Sequence, residues 1–243
     1  MSRGFGEAQF ASQLPEAVTA IAGLVTQLGD MWFVVVGICA LYVMGTRYRS
    51  LTESLTDDCV YLLALTVGAY SLTVVLKHVF GLPRPPGAAT ATPPTWIPAI
   101  GHAAYESMVT GDGFGFPSGH ALKTTAVYGG AAFALDFWDR PRRLALAGVL
   151  STLVAASRVF LGVHYVVDVV FGSVVGVAFL AGVIRLTDQR PTRALALSTV
   201  LGGLAFATSG TSKSGLAFAA AAIGFVVWAA TDRLAVGADP VER

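Results

Sequence analysis

The chain has 243 residues, with 16 Lys and Arg against 15 Asp and Glu and a formal net charge of +1. Charged residues make up 13% and hydrophobic types 54%, with a mean hydropathy of +0.66, whereas soluble domains carry about 25% charged residues. So few charges cannot cover a soluble fold, and the near-neutral balance gives no reason to expect nucleic acid as a partner. An all-α, polytopic transmembrane helical bundle is the expected fold class.

Residues 1–30 read as a polar and interfacial segment. Arg3, Glu7 and Glu16 are scattered among aromatics, without the basic start, apolar middle and cleavage site of a signal peptide, so no cleaved leader is expected. Ala17 to Gly29 is apolar but short, and Asp30 interrupts it, which fits an interfacial helix leading into the first span. Uncharged runs then mark spans at Met31–Thr46, Cys59–Leu76, Thr124–Leu135, Leu144–Ser157, Val169–Ile184, Ala194–Ser212 and Ser214–Thr231, giving seven spans with six as the alternative. Several runs are shorter than the roughly 20 residues of a full crossing, so the spans should extend over neighbouring charges such as Lys77, Lys123, Arg158 and Asp168. Ionisable groups in that position point to a site.

Residues 31–186 form the expected membrane core, and 187–243 a helical hairpin and tail turned at Ser209–Gly215. Between them in interest, though inside the core, residues 82–116 are rich in Pro, Gly, Ala and Thr and read as a loop of the lid or binding kind, with Trp96 and Tyr105 shaping what it selects. Gly172 and Gly176 match a close helix-packing spacing, which by itself gives no oligomeric state. Cys39 and Cys59 lie in or beside apolar stretches without a C-x-x-C pair and read as packed or membrane-facing thiols.

Basic residues set the orientation. Arg47, Arg49, Arg140, Arg142, Arg143, Arg185, Arg190, Arg193, Arg233 and Arg243 all follow odd-numbered spans, whereas Arg3 and Lys213 stand on the other side with the motif cations Lys77, Arg84 and Arg158. The positive-inside rule makes the first group cytoplasmic, so the motifs face outward from a multi-pass protein of the cell membrane.

Three motifs carry chemistry. Lys77 and Arg84 offer a flexible ammonium and a planar fork to one anion, with Pro83 and Pro85 stiffening the backbone around the arginine. In Pro117-Ser118-Gly119-His120, Ser118 is an N-cap candidate and Gly119 admits a ligand to the first amides of a helix, an anion cradle beside His120 as proton donor. His164 and Asp168, four apart on one helical face, suit a base or nucleophile oriented by a carboxylate, and Ser157-Arg158 precede them. Metal binding is disfavoured: the motif cations would repel a divalent ion, and no H-E-x-x-H or Cys cluster is present. Lys123 reads either as a substrate contact or as a snorkelling side chain, and His78 as interfacial.

Lys77 with Arg84-Pro85, Pro117 to His120, and Ser157-Arg158 with His164 and Asp168 together resemble the signature of the type 2 phosphatidic acid phosphatase (PAP2) superfamily, K-x6-R-P, P-S-G-H and S-R-x5-H-x3-D. The resemblance implies a PAP2 and vanadium haloperoxidase-like core and a lipid phosphatase needing neither metal nor cofactor. In that reading His164 is the nucleophile, Asp168 orients it, and His120 is the general acid and base. Lys77, Arg84, Ser118, Gly119 and Arg158 would hold the phosphate. The implied substrate and partner is a lipid phosphate monoester or diphosphate in the bilayer, such as phosphatidic acid, phosphatidylglycerol phosphate or a polyprenyl diphosphate. A phosphotransferase passing the group to an alcohol, and a non-enzymatic anion-binding or transport protein, are the alternatives. Family members commonly have six spans, so a seventh would be a departure outside the motif region.

Overall fold

The structure, a computed structural model, describes residues 3–48, 51–52 and 54–237, without the side chains of 233–237. Ten α-helices follow in order: α1 (Glu7–Ser12), α2 (Glu16–Gln27), α3 (Met31–Arg47), α4 (Leu55–Phe80), α5 (His102–Val109), α6 (Gly119–Ala134), α7 (Arg140–Phe160), α8 (Val166–Thr187), α9 (Pro191–Ser209) and α10 (Ser212–Gly237). Each of the seven apolar runs falls in its own helix, and the helices extend over Lys77, Lys123, Arg158 and Asp168 as the short runs required.

Four helices, α4, α7, α8 and α10, are long and apolar enough to cross a bilayer alone, and α2 with α3, bent by 53°, would make a fifth span. The remaining two expected spans, α6 and α9, do not pass by length and composition. With 16 residues, α6 reaches only about 24 Å at 1.5 Å per residue. It lies at the centre of the bundle, packed by α4, α7 and α8, with Ala121, Leu122, Thr124 and Ala126 wholly buried. A helix sheathed by protein need not match the hydrocarbon thickness. On the outer flank of α4 lies α9, and the α9–α10 hairpin closes that side. Gly210, left-handed at φ 61°, turns the hairpin.

Helix direction sorts the chain into two ends. Lys77 closes α4, Gly119 opens α6, Arg158 closes α7 and Lys213 lies in the first turn of α10; all four line one cavity. At the other end Asp57 of α4, Arg190, Arg193 of α9 and Asp232 of α10 share a second, polar recess. Arg47, Arg140, Arg142, Arg143 and Arg185 belong to the termini directed that way; Arg49, Arg243 and the Arg233 side chain lie outside the described residues.

The Gly172 and Gly176 spacing works inside the chain. A Cβ at Gly172 would stand 2.6 Å from the Ser118 carbonyl oxygen, and one at Gly176 2.6 Å from that of Leu122. These glycines let α8 touch the α6 backbone, directly behind the Ser118–His120 turn. Gly172→Ala should force α8 outward against an immovable carbonyl, destabilising the fold by about 1–3 kcal/mol. Thermal unfolding in detergent measures this, and an unchanged midpoint would contradict the packing argument.

Residues 82–116 are not all loop. A 3₁₀ turn at Ala99–Gly101 leads into α5, which buries Tyr105 and Val109 and packs on α2. Composition hid this helix because the surrounding Pro, Gly and Thr dominate the segment, whereas HAAYESMV on its own has ordinary helix formers.

Candidate active site

A cavity of about 420 Å³ opens at the motif end of the bundle, lined by six residues of the three motifs and by the later part of the 82–116 segment. Lys77, Arg84, Gly119, His120, Arg158 and His164 all reach it. Ser118 and Asp168 lie one layer behind, with side chains wholly buried.

The positions follow from local geometry. Gly81, left-handed at φ 59°, ends α4 after Lys77, and the prolines around Arg84 keep the chain extended past the cavity. Ser118 has N-cap backbone angles, yet its hydroxyl makes no cap bond and has no hydrogen-bond partner among the described residues. A buried, unpaired hydroxyl is costly unless it has a ligand to bond. A Cβ at Gly119 would come within 2.7 Å of Thr73 Cγ2, so a side chain there would displace Thr73 of α4.

His164 does not share a helical face with Asp168 as the spacing suggested. It sits in the turn between α7 and α8, where Gly162 takes φ 65°, and α8 starts two residues later. Asp168 is instead in the first turn of α8, where Oδ2 accepts from the Tyr165 amide at 3.1 Å and lies 3.4 Å from His164 Nδ1. The pair still meets, because the first-turn carboxylate reaches back over the cap.

Tautomer assignment follows from Arg84. Its Nη1 donates to the Val163 carbonyl and lies 3.0 Å from His164 Nε2, and its Nε donates to the Asp112 carbonyl. Guanidinium has only donors, so Nε2 carries a lone pair and Nδ1 carries the proton, facing Asp168. Burial first, then the charges of Arg84, Arg158 and Lys77, push the His164 pKa well below 6.5. A lowered pKa keeps the imidazole neutral where a free histidine would be half protonated. Any acid limb of kcat/KM owed to His164 should therefore lie below pH 6.5, once the substrate's own ionisation near pH ~6 is divided out. A His164 limb at or above that value would contradict the assignment.

Several residues of the site escaped the sequence reading. Arg3, counted only as an outer-side cation, bonds Asp168 Oδ1 through Nη2 at 3.2 Å and the Pro83 carbonyl at 2.8 Å. Its guanidinium also lies over the Phe116 and Tyr165 rings. Glu7 accepts from the Val166 amide at the start of α8. Thr26 accepts from Arg158 Nη1 at 2.9 Å, and Asp30 lies 2.9 Å from His120 Nε2. The only hint was an ionisable residue, Asp30, breaking an apolar stretch. Lys123, left open between two readings, is buried and lines the cavity, as does Lys213. Trp96 is exposed and Tyr105 packs inward; besides Arg84, the residues of this segment at the cavity are Ser107 and Met108 of α5 and Thr110, Gly111 and Asp112 after it. His78 is exposed, with Nδ1 against its own helix, in line with an interfacial role.

The PAP2 superfamily profile matches residues 58–191, more than half of the chain. The chain belongs to the PAP2 superfamily. It is 31% identical over 176 residues to a lipid A 1-phosphatase of Rhizobium etli, covering 68% of this chain and 70% of that protein. Over 87 residues it is 36% identical to phosphatidylglycerophosphatase B of Bacillus subtilis, covering 33% of this chain and 42% of that one. Among solved structures, a transmembrane PAP2-type phosphatidylglycerolphosphate phosphatase from Bacillus subtilis superposes with a TM-score of 0.57 at 25% identity, over 76% of this chain and 84% of the other. The Lys77–Asp168 motifs lie inside the matched region, whereas Arg3, Thr26 and Asp30 precede it.

Proposed function

We propose that this PAP2 lipid phosphatase hydrolyses a lipid phosphate monoester or diphosphate through a phosphohistidine on His164. The observation that carries the reading is the Asp168–His164–Arg84 line, which leaves the one lone pair of a neutral imidazole pointing at a cationic cavity. Phosphate entering that cavity competes for the Arg84 guanidinium, which is better matched to phosphate oxygens than to an imidazole nitrogen. Transfer of that contact frees Nε2 to attack.

In the first step the Nε2 lone pair forms a P–N bond as the P–O bond to the lipid breaks. Protonated His120 gives its proton to the departing oxygen. The phosphorylated imidazolium is balanced by Asp168. In the second step water attacks phosphorus, its proton passes to His120, and the P–N electrons return to Nε2, releasing phosphate. Lys77, Arg84, Lys123 and Arg158 supply fixed positive charge around the transferring group, the role for which other phosphoryl-transfer sites employ Mg²⁺. Ser118 and the amides at Gly119 add donors. No metal or cofactor is assigned a part.

A lipid substrate fits the surroundings. An apolar groove of about 500 Å³ lies between α7 and α8, lined by Val159, Phe160, Val166, Val170 and Val174 among others. It begins beside the His164 turn and offers a place for a hydrocarbon chain. The arginines gathered at the opposite end favour an outward-facing site on the cell membrane. Phosphate release from phosphatidic acid, phosphatidylglycerol phosphate, polyprenyl diphosphate and soluble sugar phosphates, assayed with a metal chelator, tests the reading. Release from lipid substrates with an acid-labile phosphoenzyme is expected; release only when a divalent ion is restored, or phosphate appearing on an added alcohol instead of in solution, would overturn it.

A further inference from the structure

Asp30 occupies the N-cap position of α3, with extended backbone at φ −76° and ψ 147°. An aspartate there ordinarily accepts from an amide of the first turn. Asp30 makes no such bond; its carboxylate turns away from the helix and into the catalytic cavity, with Oδ1 2.9 Å from His120 Nε2. Gly29 makes the approach possible, because a Cβ there would stand 2.7 Å from His120 Cδ2 and from Val154 Cγ1. The 53° bend between α2 and α3 therefore delivers a carboxylate to the second histidine of the site.

The charged and titratable groups facing His120 are Asp30 from this bend, Lys123 on α6 itself, Arg158 from α7 and His164 from the α7–α8 turn. Asp30 is the anion of that set. Without it, an imidazolium at His120 would face the Lys123 and Arg158 cations with no anion beside it, and the proton needed by the leaving oxygen would have no favourable resting place. Hydrogen bonding through Nε2 also decides which nitrogen works: Nδ1 is the one left to exchange a proton.

We propose that Asp30 is a positioning residue for His120, accepting from Nε2 so that Nδ1 gives a proton to the leaving lipid oxygen and later takes one from water. The inference rests on the phosphohistidine reading above. It places a residue from outside the family-matched region in the reaction, and makes the helix break at Gly29–Asp30 part of the active site. The rival account is that Asp30 merely neutralises the cationic cavity.

Leaving-group dependence separates them, because general-acid help matters for a poor leaving group and little for a good one. The full-length protein is given two lipid phosphate monoesters, one an alkyl ester and one an aryl ester of an acidic phenol, in single-turnover experiments. For Asp30→Asn the alkyl ester should slow by about 100-fold and the phenol release by no more than about threefold. Asp30→Glu should recover at least about tenfold of the alkyl rate, since it restores the charge. Should the Asn variant not extract as a folded protein, Asp30→Ser takes its place. Equal slowing of both esters, or tighter phosphate binding with neither slowed, overturns the role of Asp30 while leaving the phosphoenzyme in place. Aryl ester cleavage by the unaltered protein without a phosphoenzyme overturns the underlying reading, and the Asp30 inference with it.

Discussion

His164→Ala is expected to lower phosphate release by about 10⁴-fold or more, the scale seen when a covalent nucleophile is removed. The side chain is 2% exposed, so the loss includes packing, but the alanine leaves most of the turn intact. Its backbone amide donates to the Arg158 carbonyl whatever the side chain. Arg84 keeps its bonds to the Val163 and Asp112 carbonyls. The variant should therefore extract from membranes as a folded protein and still bind phosphate through Lys77, Arg84 and Arg158. The measurement is turnover in purified protein together with acid-labile phosphate on the chain. Retained turnover, or an undiminished phosphoenzyme, would mean that another atom attacks phosphorus.

Much of the site was legible because phosphoryl chemistry demands residue types at close sequence spacing. Lys77 and Arg84, Ser118 to His120, and Arg158 with His164 each have Gly or Pro beside them, residues that punctuate helices. The fold was legible for the same reason, since each apolar run had only one low-cost backbone solution in a bilayer. Span number was less so: α6 is short because it is surrounded by protein, and hydropathy rules describe helices that face lipid. The turn holding His164 was misread as helix because the spacing of His164 and Asp168 is compatible with both.

What could not be read was contribution from a distance. Arg3 and Asp168 are 165 positions apart, His120 and Asp30 are 90 apart, and Arg158 and Thr26 are 132 apart. No local pattern signals such pairs. The N-terminal residues 3–30 looked like a polar lead-in, yet they form a strap whose side chains meet Asp168, His120 and Arg158. Glu7 caps α8, Arg3 holds the carboxylate behind His164, Asp30 meets His120, and Thr26 fixes Arg158.

Asp168→Asn should lower kcat by about 10²- to 10⁴-fold with little change in volume. In the unaltered protein both carboxylate oxygens are committed as acceptors: Oδ2 toward the Tyr165 amide and His164 Nδ1, Oδ1 toward Arg3. An amide has one oxygen. If that oxygen faces His164, the NH₂ confronts the Arg3 guanidinium, donor against donor in a wholly buried position. If the NH₂ faces His164, it donates to Nδ1 and sends the proton to Nε2, the nitrogen proposed to attack and one that already faces the donors of Arg84. Either arrangement also loses the charge opposite the proposed phosphorylated imidazolium. Arg3→Gln alone leaves the Asp168 carboxylate in place and should cost no more than about tenfold, whereas in the Asn variant it removes the donor clash and should restore part of the rate. The two substitutions should thus be strongly non-additive. Rates that simply multiply would show that Arg3 and His164 do not share Asp168 during the reaction.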